Sequence, residues 1–143
     1  MNFKTTFDNI LAAEQNRKVR KHPSQDEFRL QCSCVTWFRL QYKQYAHNLF
    51  AVPNGGKRTK AEAGMLKAEG VLAGVADLIL LKSNHHYGAL LIEMKTKIGR
   101  QSDEQKAWQA LIEKDGYKYV VIRSFEEFQK AIKEYLADCD GTL

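Results

Sequence analysis

Ala89-Leu90-Leu91-Ile92-Glu93-Met94-Lys95 is the stretch on which the fold turns. Side chains alternate across a β-strand, so Leu91, Glu93 and Lys95 share one face and Leu90, Ile92 and Met94 the other. A strand this apolar reads as central and covered on both sides. An unpaired carboxylate buried there would cost several kcal/mol, so Glu93 needs a compensating charge, and Lys95 supplies part of it. Upstream, Ala76-Asp77-Leu78-Ile79-Leu80-Leu81 is a second apolar strand bearing one acid. Ser83-Asn84-His85-His86-Tyr87-Gly88 separates the two, which predicts a hairpin. Two carboxylates one hairpin apart repel, and a divalent cation resolves that conflict. With a main-chain carbonyl and waters they make an oxygen site suited to magnesium or manganese, an ion able to polarise a phosphoryl oxygen. The set therefore reads as phosphodiester hydrolysis. Its plainer reading is an Asp, a Glu and a Lys serving only as charges at strand ends, since E-x-K alone is a short pattern.

The segments on either side extend that sheet and cover it. Pro23-Ser24-Gln25-Asp26-Glu27 opens a helix, with Ser24 as N-cap and Glu27 three residues later in a capping-box arrangement. Phe28, Cys32, Val35, Phe38, Tyr42, Tyr45 and Leu49 recur at helical spacing, which predicts a core-facing stripe and a helix ending near His47. Asn48 to Val52 is a short strand, Pro53-Asn54-Gly55-Gly56 a turn, and Lys60 to Glu69 a short helix stopped by Gly70. After Lys95 comes a loop with Gly99, then a helix capped by Ser102 that carries Trp108, Leu111 and Ile112 and ends at Gly116. Tyr117 to Arg123 is another strand, and Ser124 caps the last helix, with Phe125, Phe128, Ile132, Tyr135 and Leu136 on one side. This order defines an α/β fold, a mixed sheet flanked by helices. A right-handed crossover is expected from the Glu93 strand through the Ser102 helix to the Tyr117 strand.

Composition sets the outer bounds. The chain has 143 residues, 44% hydrophobic and 27% charged, which excludes disordered, collagen-like and coiled-coil classes and suits one domain. Lys and Arg outnumber Asp and Glu by 22 to 17, a net charge of +5 that is compatible with a polyanionic partner without proving one. No apolar run nears the ~20 residues that span a bilayer, so no membrane association is expected. Met1 to Asn9 lacks the apolar core of a signal peptide. Cys32, Cys34 and Cys139 form no C-x-x-C pair, which argues against a disulfide framework or a zinc ribbon and for a reducing cytoplasm. Residues 1–22 read as a basic lead-in helix or arm. Phe7, Ile10, Leu11 and Glu14 have helical spacing there, followed by Arg17, Lys18, Arg20, Lys21 and His22. Residues 23–137 read as the folded domain and 138–143 as a tail.

Asp77 and Glu93-Met94-Lys95 on paired strands resemble the PD-(D/E)XK nuclease superfamily. Further residues narrow the resemblance to its VRR-NUC branch, over roughly Ser24 to Leu136. They are Glu27 and Gln31 on the first helix, Pro53-Asn54-Gly55-Gly56-Lys57-Arg58, Gly70 and Gly74-Val75-Ala76-Asp77. Ile92-Glu93-Met94-Lys95, then Gly99, Ser102, Gln105 and Trp108, complete the set. The resemblance implies a restriction-endonuclease-like αβββαβ core and a Mg2+- or Mn2+-dependent deoxyribonuclease of DNA repair, recombination or phage replication. It also implies a cytoplasmic, bacterial or phage-encoded homodimer acting on DNA that could be branched, such as a four-way (Holliday) junction. By the same resemblance Asp77 and Glu93 are metal ligands, with the main-chain oxygen of Met94, and Lys95 is the catalytic lysine. Gln105 would orient the lysine or the scissile phosphate, and Glu27 would reach the metal directly or through water. The proline that commonly precedes the aspartate is Ala76 here. A non-catalytic DNA-binding module of the same fold is the alternative.

Capping is a rival explanation for two of these residues. Glu27 is three residues after Ser24, and Gln105 stands in the same relation to Ser102. Gln31, one helical turn on, is the reserve for Glu27. Glu127 completes a third such box after Ser124 and has nothing else to recommend it for chemistry. For DNA contacts the first candidate is the turn Asn54-Gly55-Gly56 with Lys57, Arg58 and Lys60. Its glycines let backbone N–H groups approach a phosphate, and its cations supply attraction. Lys97 and Arg100 in the loop after the Glu93 strand are the second. His85-His86 reads as a turn, and Trp37 and Trp108 as packing residues. Cys32 and Cys34, two apart on a helix, face different directions and make a poor chelate.

Overall fold

The structure, a computed structural model, describes residues 25–53 and 58–139. Its elements in order are α1 (Gln25–Gln41), a 3-10 turn (Lys43–Tyr45), β1 (Leu49–Ala51), α2 (Lys60–Ala68), β2 (Leu78–Leu80) and β3 (Leu90–Met94). Helix α3 (Asp103–Lys114), β4 (Lys118–Ile122) and α4 (Phe125–Ala137) complete the series. The chain divides into two compact units, residues 1–22 with 55–71 and residues 23–54 with 72–143. Among the described residues the first unit holds α2. Thr59 caps it by accepting from the Glu62 N–H at 3.2 Å, while Glu62 Oε2 accepts from the Thr59 N–H at 2.7 Å. Gly70, with φ +102°, follows its end.

The second unit holds the sheet. Its strand order is β1-β2-β3-β4, antiparallel except for the parallel β3–β4 pair joined through α3. Strand β3 is buried along its whole length, Glu93 included, as expected of a central strand covered on both sides. Its side chains part as alternation requires. Leu90, Ile92 and Met94 join Leu78, Leu80 and Ile122 in a core with Cys34 and Phe38 of α1 and Phe128, Ile132, Tyr135 and Leu136 of α4. Leu91 packs on the opposite face with Ile79, Tyr119 and Val121 against Trp108 and Ile112 of α3. Both tryptophans are packing residues: Trp37 meets Phe125 and Phe128 edge-on, and Trp108 meets Tyr119 at 6.1 Å between centroids.

Two expectations for α1 are corrected. The helix stops at Gln41 instead of near His47, because Tyr42 leaves helical geometry (φ −120°, ψ 64°) and a 3-10 turn follows. At the break Tyr42 packs on Trp37 and Phe38. The predicted stripe holds from Val35 onward, with Val35, Phe38, Tyr42, Tyr45 and Leu49 in or against the core. At its start Phe28 is exposed and Cys32 faces solvent, and Leu30 and Cys34 face the core in their place. On α3, Leu111 is exposed while Trp108 and Ile112 pack inward.

The β2–β3 loop is organised by Asn84, whose Oδ1 accepts from the N–H groups of His86 and Tyr87 at 2.9 and 2.8 Å. Its amide donates to the Tyr135 carbonyl at 3.1 Å, which fastens the loop to α4 and makes His85-His86 part of a turn. Ser24, the lead-in of residues 1–22, the turn residues Asn54, Gly55, Gly56 and Lys57, and residues 140–143 lie outside the described residues.

Candidate active site

The β2–β3 register pairs Leu78 with Ile92, and one step further it sets Asp77 opposite Glu93. Opposed residues in an antiparallel pair project from the same face, here the face that α3 covers. Asp77 precedes β2 by one residue instead of lying within it. Its carbonyl accepts from the Val52 N–H at 2.9 Å and its Oδ2 from the Met94 N–H at 2.7 Å. The carboxylate is thus aimed at the end of β3, where the strand stops.

Glu93 is 1% exposed and fully engaged. Lys95 Nζ lies 2.6 Å from its Oε1, and Gln105 Nε2 donates to the same oxygen. The Tyr119 hydroxyl stands 3.4 Å from Oε2. Among the described residues no buried side-chain polar atom lacks a partner. Burial of Glu93 is therefore met by Lys95 and Gln105, and it does not by itself call for a cation. The case for one rests on the apposition of Asp77 and Glu93. Two carboxylates beside the Met94 main chain would offer oxygen donors only, which suit magnesium or manganese better than zinc with its nitrogen and sulfur preference. No group of three or more His, Cys, Asp or Glu converges among the described residues. Water and phosphate oxygens would have to complete the shell, which magnesium accepts readily.

Gln105 closes the capping box and also contacts the acid of β3. Its Oε1 accepts from the Ser102 N–H at 2.9 Å, Ser102 Oγ accepts from its N–H at 3.2 Å, and its Nε2 turns to Glu93. Glu27 reaches 69 positions along the chain, its Oε1 accepting from the Thr96 N–H at 3.1 Å, directly after Lys95. Glu127 has only local partners: its Oε2 accepts from the Arg123 N–H and its own N–H donates to Ser124. The loop before Asp77 approaches α3 through Gly74, whose φ is +84° and where a Cβ would come within 2.9 Å of the Glu104 carbonyl. Only glycine fits both the angle and the gap.

Two contributors carry no readable signal in the sequence. Tyr119 reaches Glu93 because the parallel register pairs it with Leu91 and so turns it to the α3 face. Burial first, then the Glu93 charge, pushes its phenol above the ordinary tyrosine value, so it stays protonated as a donor. Gln101 Nε2 donates to the Tyr119 hydroxyl at 3.5 Å and to Gln109 Oε1 at 2.9 Å. Arg123 fixes the segment after Lys95, its Nη1 donating to the carbonyls of Thr96 at 2.7 Å and Gly99 at 2.6 Å. Of the DNA-contact candidates, Lys97 and Arg100 are exposed in that segment, and Arg58 and Lys60 are exposed in the first unit.

A mixed four-stranded sheet between helices, with an acid pair and a lysine gathered at one end of its central strands, defines an α/β domain of the nuclease kind. The sequence profile of the VRR-NUC domain matches residues 12–126, and the chain belongs to that family, whose domains are of nuclease type. A solved structure described as a VRR_NUC domain protein superposes with a TM-score of 0.70 at 25% identity, over 80% of this chain and 90% of that one. No curated protein matches the chain significantly. Among the described residues no helix is long and apolar enough to cross a membrane.

Proposed function

We propose that this domain is a Mg2+- or Mn2+-dependent deoxyribonuclease of repair, recombination or phage replication. The observation that carries the reading is the register opposition of Asp77 and Glu93 with Lys95 at 2.6 Å from Glu93. Asp77, Glu93 and the Met94 carbonyl would hold the ion, which when bound supplies Lewis-acid polarisation of a phosphoryl oxygen. The rest is the work of the chain. Lys95, only 12% exposed in its side chain, offers an ammonium to the charge that gathers on the phosphate as a water attacks. Gln105 and Tyr119 hold the Glu93 carboxylate from two sides, and the Met94 N–H does the same for Asp77, so neither acid has to reorganise during the reaction. Glu27 and Arg123 fix the chain just beyond Lys95. Gly55, Gly56, Lys57, Arg58 and Lys60, with Lys97 and Arg100, would bind phosphates, and affinity would fall steeply with salt. One such site cuts one strand, so paired cuts in branched DNA would take two copies.

The test is cleavage of plasmid, flapped and four-way DNA in magnesium, manganese or EDTA, with Asp77→Ala alongside. Cleavage that needs the metal and is abolished in Asp77→Ala supports the reading. Wild-type cutting by Asp77→Ala overturns the site, and binding without cleavage in either metal makes the domain a non-catalytic DNA-binding module.

A further inference from the structure

Ile98 is 91% exposed, the most of any large hydrophobic among the described residues, with Leu40 next at 68%. A single exposed apolar side chain is ordinary on a protein surface. This one differs in what holds it. Thr96 to Gly99 closes as a four-residue turn, Gly99 N–H to Thr96 carbonyl at 3.2 Å and to Thr96 Oγ1 at 3.0 Å, with Lys97 and Ile98 at its tip. Gly99 permits the closure, since a Cβ there would stand 2.9 Å from Thr96 Oγ1. Arg123 grips both end carbonyls, at 2.7 and 2.6 Å, and Glu27 holds the Thr96 N–H at 3.1 Å. A turn tied from two other elements presents an isoleucine in fixed geometry, three residues after Lys95, between the exposed cations Lys97 and Arg100.

Resting on the nuclease reading above, we propose that Ile98 is a wedge. It enters a base step beside the phosphate under attack and holds the stack open, while Lys97 and Arg100 take the flanking phosphates. Apolar side chains on rigid supports part base steps in this way, and the unstacking costs least where the stack is already interrupted. Pre-organisation matters because the turn loses little freedom on binding. Ile98 would thereby favour DNA that opens easily over continuous duplex, a choice of substrate made by a residue outside the acid pair.

The experiment uses the full chain and a nicked duplex carrying 2-aminopurine at the nick, with calcium in place of magnesium. Anisotropy measures binding, and fluorescence, which rises when the base unstacks, measures opening. Wild-type protein is expected to bind and brighten the probe. Ile98→Ala should bind the nicked duplex about tenfold more weakly, as expected for losing a buried aliphatic side chain. At saturation it should leave the probe dark, while Ile98→Phe keeps the brightening. Equal brightening by wild type and Ile98→Ala at saturation overturns the wedge and leaves the nuclease reading standing. Absence of binding by the wild type also overturns the wedge, while the nuclease reading is decided by the cleavage assay above.

Discussion

Replacing Lys95 by methionine keeps most of the side-chain stem and removes the charge. Glu93, 1% exposed, would then be a carboxylate without its ion-pair partner. Breaking a buried pair from one side costs about 3–5 kcal/mol. Two features reduce that figure here. Gln105 and Tyr119 still donate to the carboxylate, and the Lys95 side chain is 12% exposed, so water reaches the gap. A loss of ~2–3 kcal/mol follows, which lowers a urea midpoint by roughly 1–2 M. Glu93→Gln removes instead the charge that needs pairing and leaves an ammonium close to solvent, so its cost should be nearer ~1 kcal/mol. Urea unfolding followed through Trp37 and Trp108, one in each core, reads both variants. Magnesium gives the experiment a second arm. If Asp77 and Glu93 hold an ion as proposed, a hundredfold excess over its Kd would contribute about 2.7 kcal/mol and should restore most of the loss in Lys95→Met. If Lys95→Met costs less than Glu93→Gln, the lysine is not what keeps the carboxylate buried, and the account of the site fails.

Other outcomes follow from single contacts. Gly74→Ala, with φ +84° and a Cβ 2.9 Å from the Glu104 carbonyl, should cost ~3 kcal/mol or more; Gly116→Ala, with φ +90° and open space, should cost ~1–2 kcal/mol, and equal costs in denaturant melts would refute the close approach. Burial, with the nearby Cys139 adding to it, pushes the Tyr135 phenol from 10.0 up to about 12. The unfolded chain therefore gives up that proton first, and this contribution to stability is present below pH ~10 and shrinks as pH rises from there toward ~12, which melts in that range will register. Burial, then the charge of Glu126, pushes the Cys34 thiol up to about 12, so at pH 8 an alkylating reagent should label exposed Cys32 promptly and reach Cys34 only on unfolding; prompt labelling of both would refute the packing of α1.

Legibility tracked how local each signal was. Strand β3 declared itself because seven residues with one acid among them suit nothing but a covered strand, and the acid was conspicuous for being there. Gln105 was within reach because a capping box is a local, four-residue pattern. At the start of α1 the stripe was misread at Phe28 and Cys32, because Leu30 and Cys34 offer a second apolar series there and only the sheet beneath decides which is inward; from Val35 onward it was legible. Tyr119 and Arg123 were out of reach for a different reason. Their relation to Glu93 and Thr96 is set by parallel pairing across a crossover, a contact between strands separated by a helix, and no local pattern encodes it.

Capping boxes take glutamate or glutamine with similar ease, and at the start of α2 the chain uses glutamate. At the start of α3 that freedom is gone, because the far side of the Gln105 amide meets an acid. A glutamate there would still secure the first turn while setting two carboxylates against each other. The choice between two nearly isosteric residues, neutral as far as the helix is concerned, is thus dictated by a neighbour twelve positions earlier. Substitution tolerance at this helix start is consequently a report on the acid beneath it, and a library of variants at position 105 selected for folding alone would recover the amide.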